Sequence, residues 1–276
     1  MQRWMNKSLL VSLAALLGLS ACGERLPTVR EMCASEPSLC ADLNQDNWCR
    51  AERRQLIISR YLQQHQPSSE QQYYLLKDLQ NYSQCIEIAS GIEHRKLKSK
   101  QSHRIEVYLN SLKSIKQLAD ETQHSEAPLL LYWHWANRND SDALQQLLAM
   151  QESPAMQTHE LQFALATYYA KEDQQQVLTH LYNALHLYQP KQRFNVEIPE
   201  SLVTYYLSQE DIKNAYIWAR VALAFDSTLI NEQQMRSIVN ATEEQYEAWQ
   251  DQAEQIVEQL RDGEFNRRPD DASPRN

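Results

Sequence analysis

Leu165-Ala166-Thr167-Tyr168-Tyr169-Ala170-Lys171-Glu172-Asp173-Gln174 decides how this chain folds, because the chain writes this pattern three times. Leu131-Tyr132-Trp133-His134-Trp135-Ala136-Asn137-Arg138-Asn139-Asp140 precedes it by 34 residues, and Leu202-Val203-Thr204-Tyr205-Tyr206-Leu207-Ser208-Gln209-Glu210-Asp211 follows it by 37. Each copy reads as an apolar helix ending in paired aromatics, a short polar break, and a second helix. Periods of this length are the mark of stacked helical units, none of which buries its apolar face alone.

Composition agrees. The whole chain has four glycines, and Gly18 and Gly23 lie near the N-terminus, leaving Gly91 and Gly263 for the remainder. Hairpin turns lean on glycine at positive φ, so a many-stranded sheet has no turns to use. Leu, Ala, Gln, Glu and Lys are abundant, all good helix formers. The expected class is all-α. Pro128, Pro154 and Pro199 fall where first helices should begin, the position that tolerates a missing N–H. Asp173 with Gln176, and Thr242 with Gln245, have capping-box spacing.

The aromatics late in each first helix (Trp135, Tyr169, Tyr206) and the small residues of the second helices resemble the tetratricopeptide repeat and its Sel1-like relative. The resemblance implies a right-handed stack of antiparallel helix pairs over residues 126–227, a TPR-like α-solenoid. Residues 228–263 would cover its end, with a helix from Thr242 to about Arg261 closing the apolar face. The polar, proline-containing segment 264–276 is expected to be disordered. In such stacks first helices line the concave face. Leu129, Trp133 and Asn137, then Phe163, Thr167 and Lys171, then Glu200, Thr204 and Ser208 would project there. A groove of that kind takes peptides through apolar anchors with polar flanks, and Trp133 and Phe163 are the expected anchors.

Ahead of the repeats, residues 46–125 read as N-terminal helices. Asp46–His65 and Ser69–Ser90 form a hairpin broken at Pro67, with Gly91 as a stop. Folding it antiparallel sets Cys49 opposite Cys85 or Ile86, so the expected bridges are Cys49–Cys85 across the hairpin and Cys33–Cys40 in a small loop. The cysteine spacings do not suit zinc. Over Arg104–Gln123, the residues Ile105, Tyr108, Leu109, Leu112, Ile115 and Leu118 form an amphipathic stripe expected to be core. The basic run His94–Arg104 reads first as a solvated connection, and second as a contact for anionic head groups.

The N-terminus carries Arg3 and Lys7, an apolar run Leu9–Leu19 and small residues, the layout of a secretory signal over residues 1–21. The run is shorter than the roughly 20 apolar residues of a spanning helix. Leu19-Ser20-Ala21-Cys22 resembles the lipobox of bacterial lipoproteins, which implies acylation of Cys22, palmitate included. With Gly23 next, the resemblance implies the outer membrane, facing the periplasm, and residues 22–45 become a lipidated tether and N-terminal loop. The chain as a whole resembles an uncharacterised family of bacterial lipoproteins.

A formal charge of −9, from 27 basic against 36 acidic residues, argues against nucleic acid, whose binders show a basic footprint. No His-Glu-x-x-His, Gly-x-Ser-x-Gly or Walker pattern occurs, and neither cofactor nor metal is expected. Glu126, Glu160 and Glu197 recur at the starts of the three first helices. Paired carboxylates can hydrolyse glycosides, but acidic residues there also complement the helix dipole, which suffices. The expected function is a non-enzymatic scaffold or adaptor for an envelope protein. The alternative is an enzyme or accessory factor of peptidoglycan metabolism.

Overall fold

A computed structural model describes residues 25–92, 98–239 and 241–267. The signal run, Cys22, part of the basic run and the last nine residues of the tail lie outside these. Among the described residues the fold is all-α, with no strand, and no helix is long and apolar enough to cross a membrane.

The chain enters through α1 (Val29–Ser35), whose first turn is closed by a reciprocal capping box between Thr28 and Glu31. A short turn at Pro37–Leu39 leads back to α2 (Arg50–His65), which packs against α3 (Ser69–Ser90). Cys33 joins Cys40 and Cys49 joins Cys85, the connectivity that the hairpin argument favours. Two details depart from the expectation. The second helix begins at Arg50, not Asp46, because Cys49 adopts a left-handed backbone (φ 55°) that interrupts the turn before it. Gly91 keeps a right-handed φ of −74°, so α3 stops without a left-handed glycine.

Asp46, freed from the helix, has other partners. Its carboxylate accepts from the Arg104 guanidinium at 2.6 and 3.0 Å, from the Trp48 N–H at 2.9 Å and from Asn44 at 2.6 Å. Partial burial opposes its charge, but the hydrogen bonds from Arg104, Asn44 and Trp48 outweigh this and hold its pKa at about 2, against the usual 3.8. A pKa lowered on folding stabilises the fold above the unfolded value, and this contribution disappears as pH falls through the folded one. Asp46→Asn should therefore flatten the stability profile between about pH 4 and pH 2, a change of about 2 kcal/mol across that window. Urea unfolding at stepped pH measures it, and an unchanged acid limb would refute the assignment.

The next helix, α4 (Lys98–Glu121), lies along α3. Of the expected stripe, Leu118 is buried and Tyr108 and Ile115 pack partly buried on the first core, but the other half is not covered. Arg104, Val107, Ser111, Leu118 and Ala119 are buried, while Ile105, Leu109 and Leu112 remain 43, 50 and 41% exposed. Two stripes compete on this helix, and the one holding Arg104 won because that guanidinium meets Asp46 and the Ala89 carbonyl beneath it.

The repeated stretches become three helix pairs: α5 (Pro128–Arg138) with α6 (Ser141–Ala149), α7 (His159–Tyr169) with α8 (Gln174–Leu187), and α9 (Glu197–Ser208) with α10 (Ile212–Ala224). Their breaks are built from polar residues. Asn139 and Glu210 take left-handed turns, and Asp140, Asp173 and Asp211 each accept backbone N–H groups at the start of the second helix. Pro128 opens α5 as expected, whereas Pro154 opens only a short turn (Pro154–Met156) and α7 starts after a Thr158 cap. Every residue of α7 from His159 to Ala166 is buried. Leu161, Ala164 and Leu165 face the core shared with α2–α6, while Phe163 and Ala166 face the core shared with α8–α12. Buried His159, Glu160 and Gln162 stand among these apolar residues, and α7 is the wall between two cores.

Two further helices, α11 (Glu232–Ile238) and α12 (Glu243–Asp262), follow, the latter opened by the Thr242–Gln245 capping box and packed on α10. The beginning of the tail corrects the expectation of disorder. Gly263, at φ 73°, lets the Glu264 N–H reach back to the Gln259 carbonyl at 2.8 Å, and Phe265 is buried beside Tyr182, His186 and Trp218. This is the left-handed glycine termination of a helix, and it turns Phe265 onto α8 and α10.

Candidate functional site

Along α7, the residues Phe163, Ala166, Thr167 and Ala170 recur at three- and four-residue steps and share one side of the helix. On α9, Ser201, Thr204, Tyr205 and Ser208 do the same. The two rows face each other across a cleft of about 420 Å³, with Val177 and Leu181 of α8 contributing apolar floor and Tyr132 of α5 and Glu197 of α9 at its edges. Ala166 and Phe163 are buried, whereas Thr167, Ala170, Thr204 and Ser208 meet solvent.

The cleft has a polarity. The Thr167 hydroxyl donates to the Phe163 carbonyl at 3.0 Å, Thr204 to the Glu200 carbonyl at 3.1 Å and Ser208 to the Tyr205 carbonyl at 2.7 Å. The Gln174 amide donates to the Ala170 carbonyl at 2.9 Å. With these protons turned into the helices, the three hydroxyls offer oxygen lone pairs, while the Gln174 amide keeps a second N–H beside its own carbonyl oxygen. The Glu197 carboxylate adds another acceptor, balanced by Lys77 at 2.8 Å. Burial pushes the Tyr132 phenol well above its ordinary range, so it stays protonated. An apolar floor edged by hydroxyl, phenol, amide and carboxylate groups suits a ligand with a bulky apolar group flanked by polar groups that donate and accept.

The structure distributes the expected site residues unevenly. Phe163, Thr167 and Thr204 line the cleft, with Ser208 beside them. Trp133 does not. It is buried, and its indole N–H donates to Gln80 at 2.8 Å, because α5 packs its would-be concave side against α3. Asn137 accepts from the same Gln80 at 2.7 Å, and Leu129 packs on the first core. Lys171 is exposed in the turn before α8. Glu200 accepts from Ser227 at 2.5 Å, and burial raises its pKa against that hydrogen bond. It ties α9 to the connection after α10.

Glu126, Glu160 and Glu197, equivalent in sequence, differ in place. Glu126 is exposed ahead of α5, and Glu197 pairs with Lys77. Glu160 is 3% exposed and accepts from Asn195 at 2.7 Å and Tyr73 at 3.3 Å. Beside it the His159 imidazole, whose pKa burial lowers, meets the Arg193 carbonyl at 3.1 Å. These groups join the hairpin to the repeats; Glu160 does not line the cleft. Among the described residues Cys49, Glu52 and Cys85 bring metal-capable donors together, but both sulfurs are joined in the bridge.

Residues 19–220 match a family model described as "Protein of unknown function (DUF2989)". No curated protein and no solved structure matches the chain.

Proposed function

The chain belongs to that family of unknown function, and from this premise we propose that it is a periplasm-facing outer-membrane lipoprotein whose helical repeats hold a segment of another envelope protein. The cleft between α7 and α9 carries the reading. Its apolar floor accepts a large side chain, and its rim of hydroxyl, phenol, amide and carboxylate groups can pair with the polar groups of a backbone, the chemistry of an extended or helical peptide. The lipobox-like Leu19–Cys22 supports the anchored location, and the family match begins at Leu19, taking in that tetrad. Three successive helix pairs with aspartate-capped second helices support a TPR-like stack, in which first helices line the recognition face. In this reading the protein is an adaptor, not a catalyst.

The test is to fill the cleft without touching the core. Thr204 is exposed on α9, so Thr204→Trp places an indole in the cleft at little cost to the fold. Crosslinking in intact cells, followed by mass spectrometry, should show peptide partners of the wild type depleted by about tenfold or more in this variant, the equivalent of roughly 1.4 kcal/mol of lost binding. Helicity and melting temperature should be unchanged. An identical set of partners would remove the cleft from recognition. Altered muropeptides with no stable partner would favour a role in cell-wall metabolism instead.

A further inference from the structure

The cleft leaves one apolar surface unused. Ile105, Leu109 and Leu112 form a continuous row at four- and three-residue steps on the outward side of α4, each more than two-fifths exposed. Leu109 is followed four residues on by Lys113, and Leu112 by Lys116, so a lysine stands beside each leucine. Lys113 is exposed, and the Lys116 side chain is 75% exposed. Lys116 pairs with Asp120, but that carboxylate is also met by Arg138 at 3.1 Å, which leaves the lysine row with surplus positive charge. Between residues 98 and 116 the only acidic residue is Glu106, in a chain whose formal charge is −9.

We propose that this face of α4 lies on an anionic lipid surface, with Ile105, Leu109 and Leu112 entering the head-group boundary and Lys113 and Lys116 meeting lipid phosphates. A row of aliphatics flanked by lysines is the arrangement that binds in the plane of a membrane interface. A second copy of the chain fits less well. Stable protein interfaces bury above roughly 1,000 Å², far more than three aliphatic side chains supply, and two such faces would set lysines against lysines. The inference stands apart from the cleft, since no residue of α4 lines it.

The experiment uses the full chain reconstituted into phosphatidylcholine vesicles with or without phosphatidylglycerol, with side-chain labelling by hydroxyl radicals as the readout. Each lysine brought to an anionic surface strengthens association by roughly fivefold. Labelling of Leu109 and Leu112 should therefore drop by about fivefold or more when phosphatidylglycerol is present. High salt should restore it, as should Lys113→Gln with Lys116→Gln, exposed changes that leave the core intact. Equal labelling on both kinds of vesicle would overturn the proposal. Protection that grows with protein density whatever the lipid would overturn it too, in favour of self-association.

Discussion

Replacing Arg193 with methionine is expected to destabilise the protein by about 3 kcal/mol or more, the lower end of the range for breaking a buried ion pair. Asp78 on α3 is 1% exposed, and Arg193, in the connection between α8 and α9, meets its two carboxylate oxygens at 2.7 and 2.9 Å. The arginine side chain is 31% exposed, so water moderates the loss. Without it, Asp78 keeps only the Ser59 hydroxyl as a partner. The cost is that of an uncompensated buried charge, larger than the net contribution of the pair. Removing both charges, with Arg193→Met and Asp78→Leu, should therefore recover much of the loss, even though Ser59 is then unpaired. Urea unfolding of the two single variants and the double variant forms the cycle. Near-additive losses would mean that the pair does not couple.

That pair spans 115 residues of sequence and joins the hairpin to the repeats. It could not have been read from either segment. Glu160 teaches the same lesson: its place in the repeat pattern suggested a helix-dipole role, but the fold turns it inward to Asn195 and Tyr73, groups 35 and 87 residues away. Periodicity reports which face of a helix is apolar and is silent about polar partners that arrive from elsewhere.

The helix pairs and the disulfide connectivity were legible because each rests on local rules: caps, breaks and the antiparallel fold of one hairpin. The cleft was legible in part, and the reason is geometric. The expected rows took steps of four (163, 167, 171 and 200, 204, 208), and each such step turns about 40° past a full rotation. Two steps carry a residue off the face, as with Glu200 relative to Ser208, and Lys171 also lies past the end of α7, in the turn before α8. Rows spaced i, i+3, i+4, i+7 stay on it, as 163, 166, 167, 170 and 201, 204, 205, 208 do. Trp133 failed for another reason. Its side of α5 is covered by α3, and the repeat resemblance carries no information about that neighbour. On α4 the periodicity permitted two faces, and the buried one was chosen by Arg104, whose partner Asp46 lies 58 residues away.

Cutting the Cys49–Cys85 bridge should be the other large loss, roughly 3–4 kcal/mol, because it closes a span of 36 residues; the Cys33–Cys40 bridge, with a separation of 7, should contribute about 2.5 kcal/mol. Double alanine variants of each pair, unfolded in urea, should keep that order. The reason is chain entropy: an unfolded chain relieved of the longer loop gains more freedom. A local term can be separated from it. Cys49 holds φ at 55° just before α2, a conformation that glycine adopts freely and alanine does not. Cys49→Gly with Cys85→Ala should accordingly be more stable than Cys49→Ala with Cys85→Ala, by about 1 kcal/mol. If the two are equal, the backbone at residue 49 relaxes once the bridge is gone, and the covalent link alone imposes the left-handed turn. If the glycine variant is the more stable, the turn persists without the sulfurs, and the contacts that Asp46 makes with Arg104 and Asn44 suffice to hold the start of α2 in place.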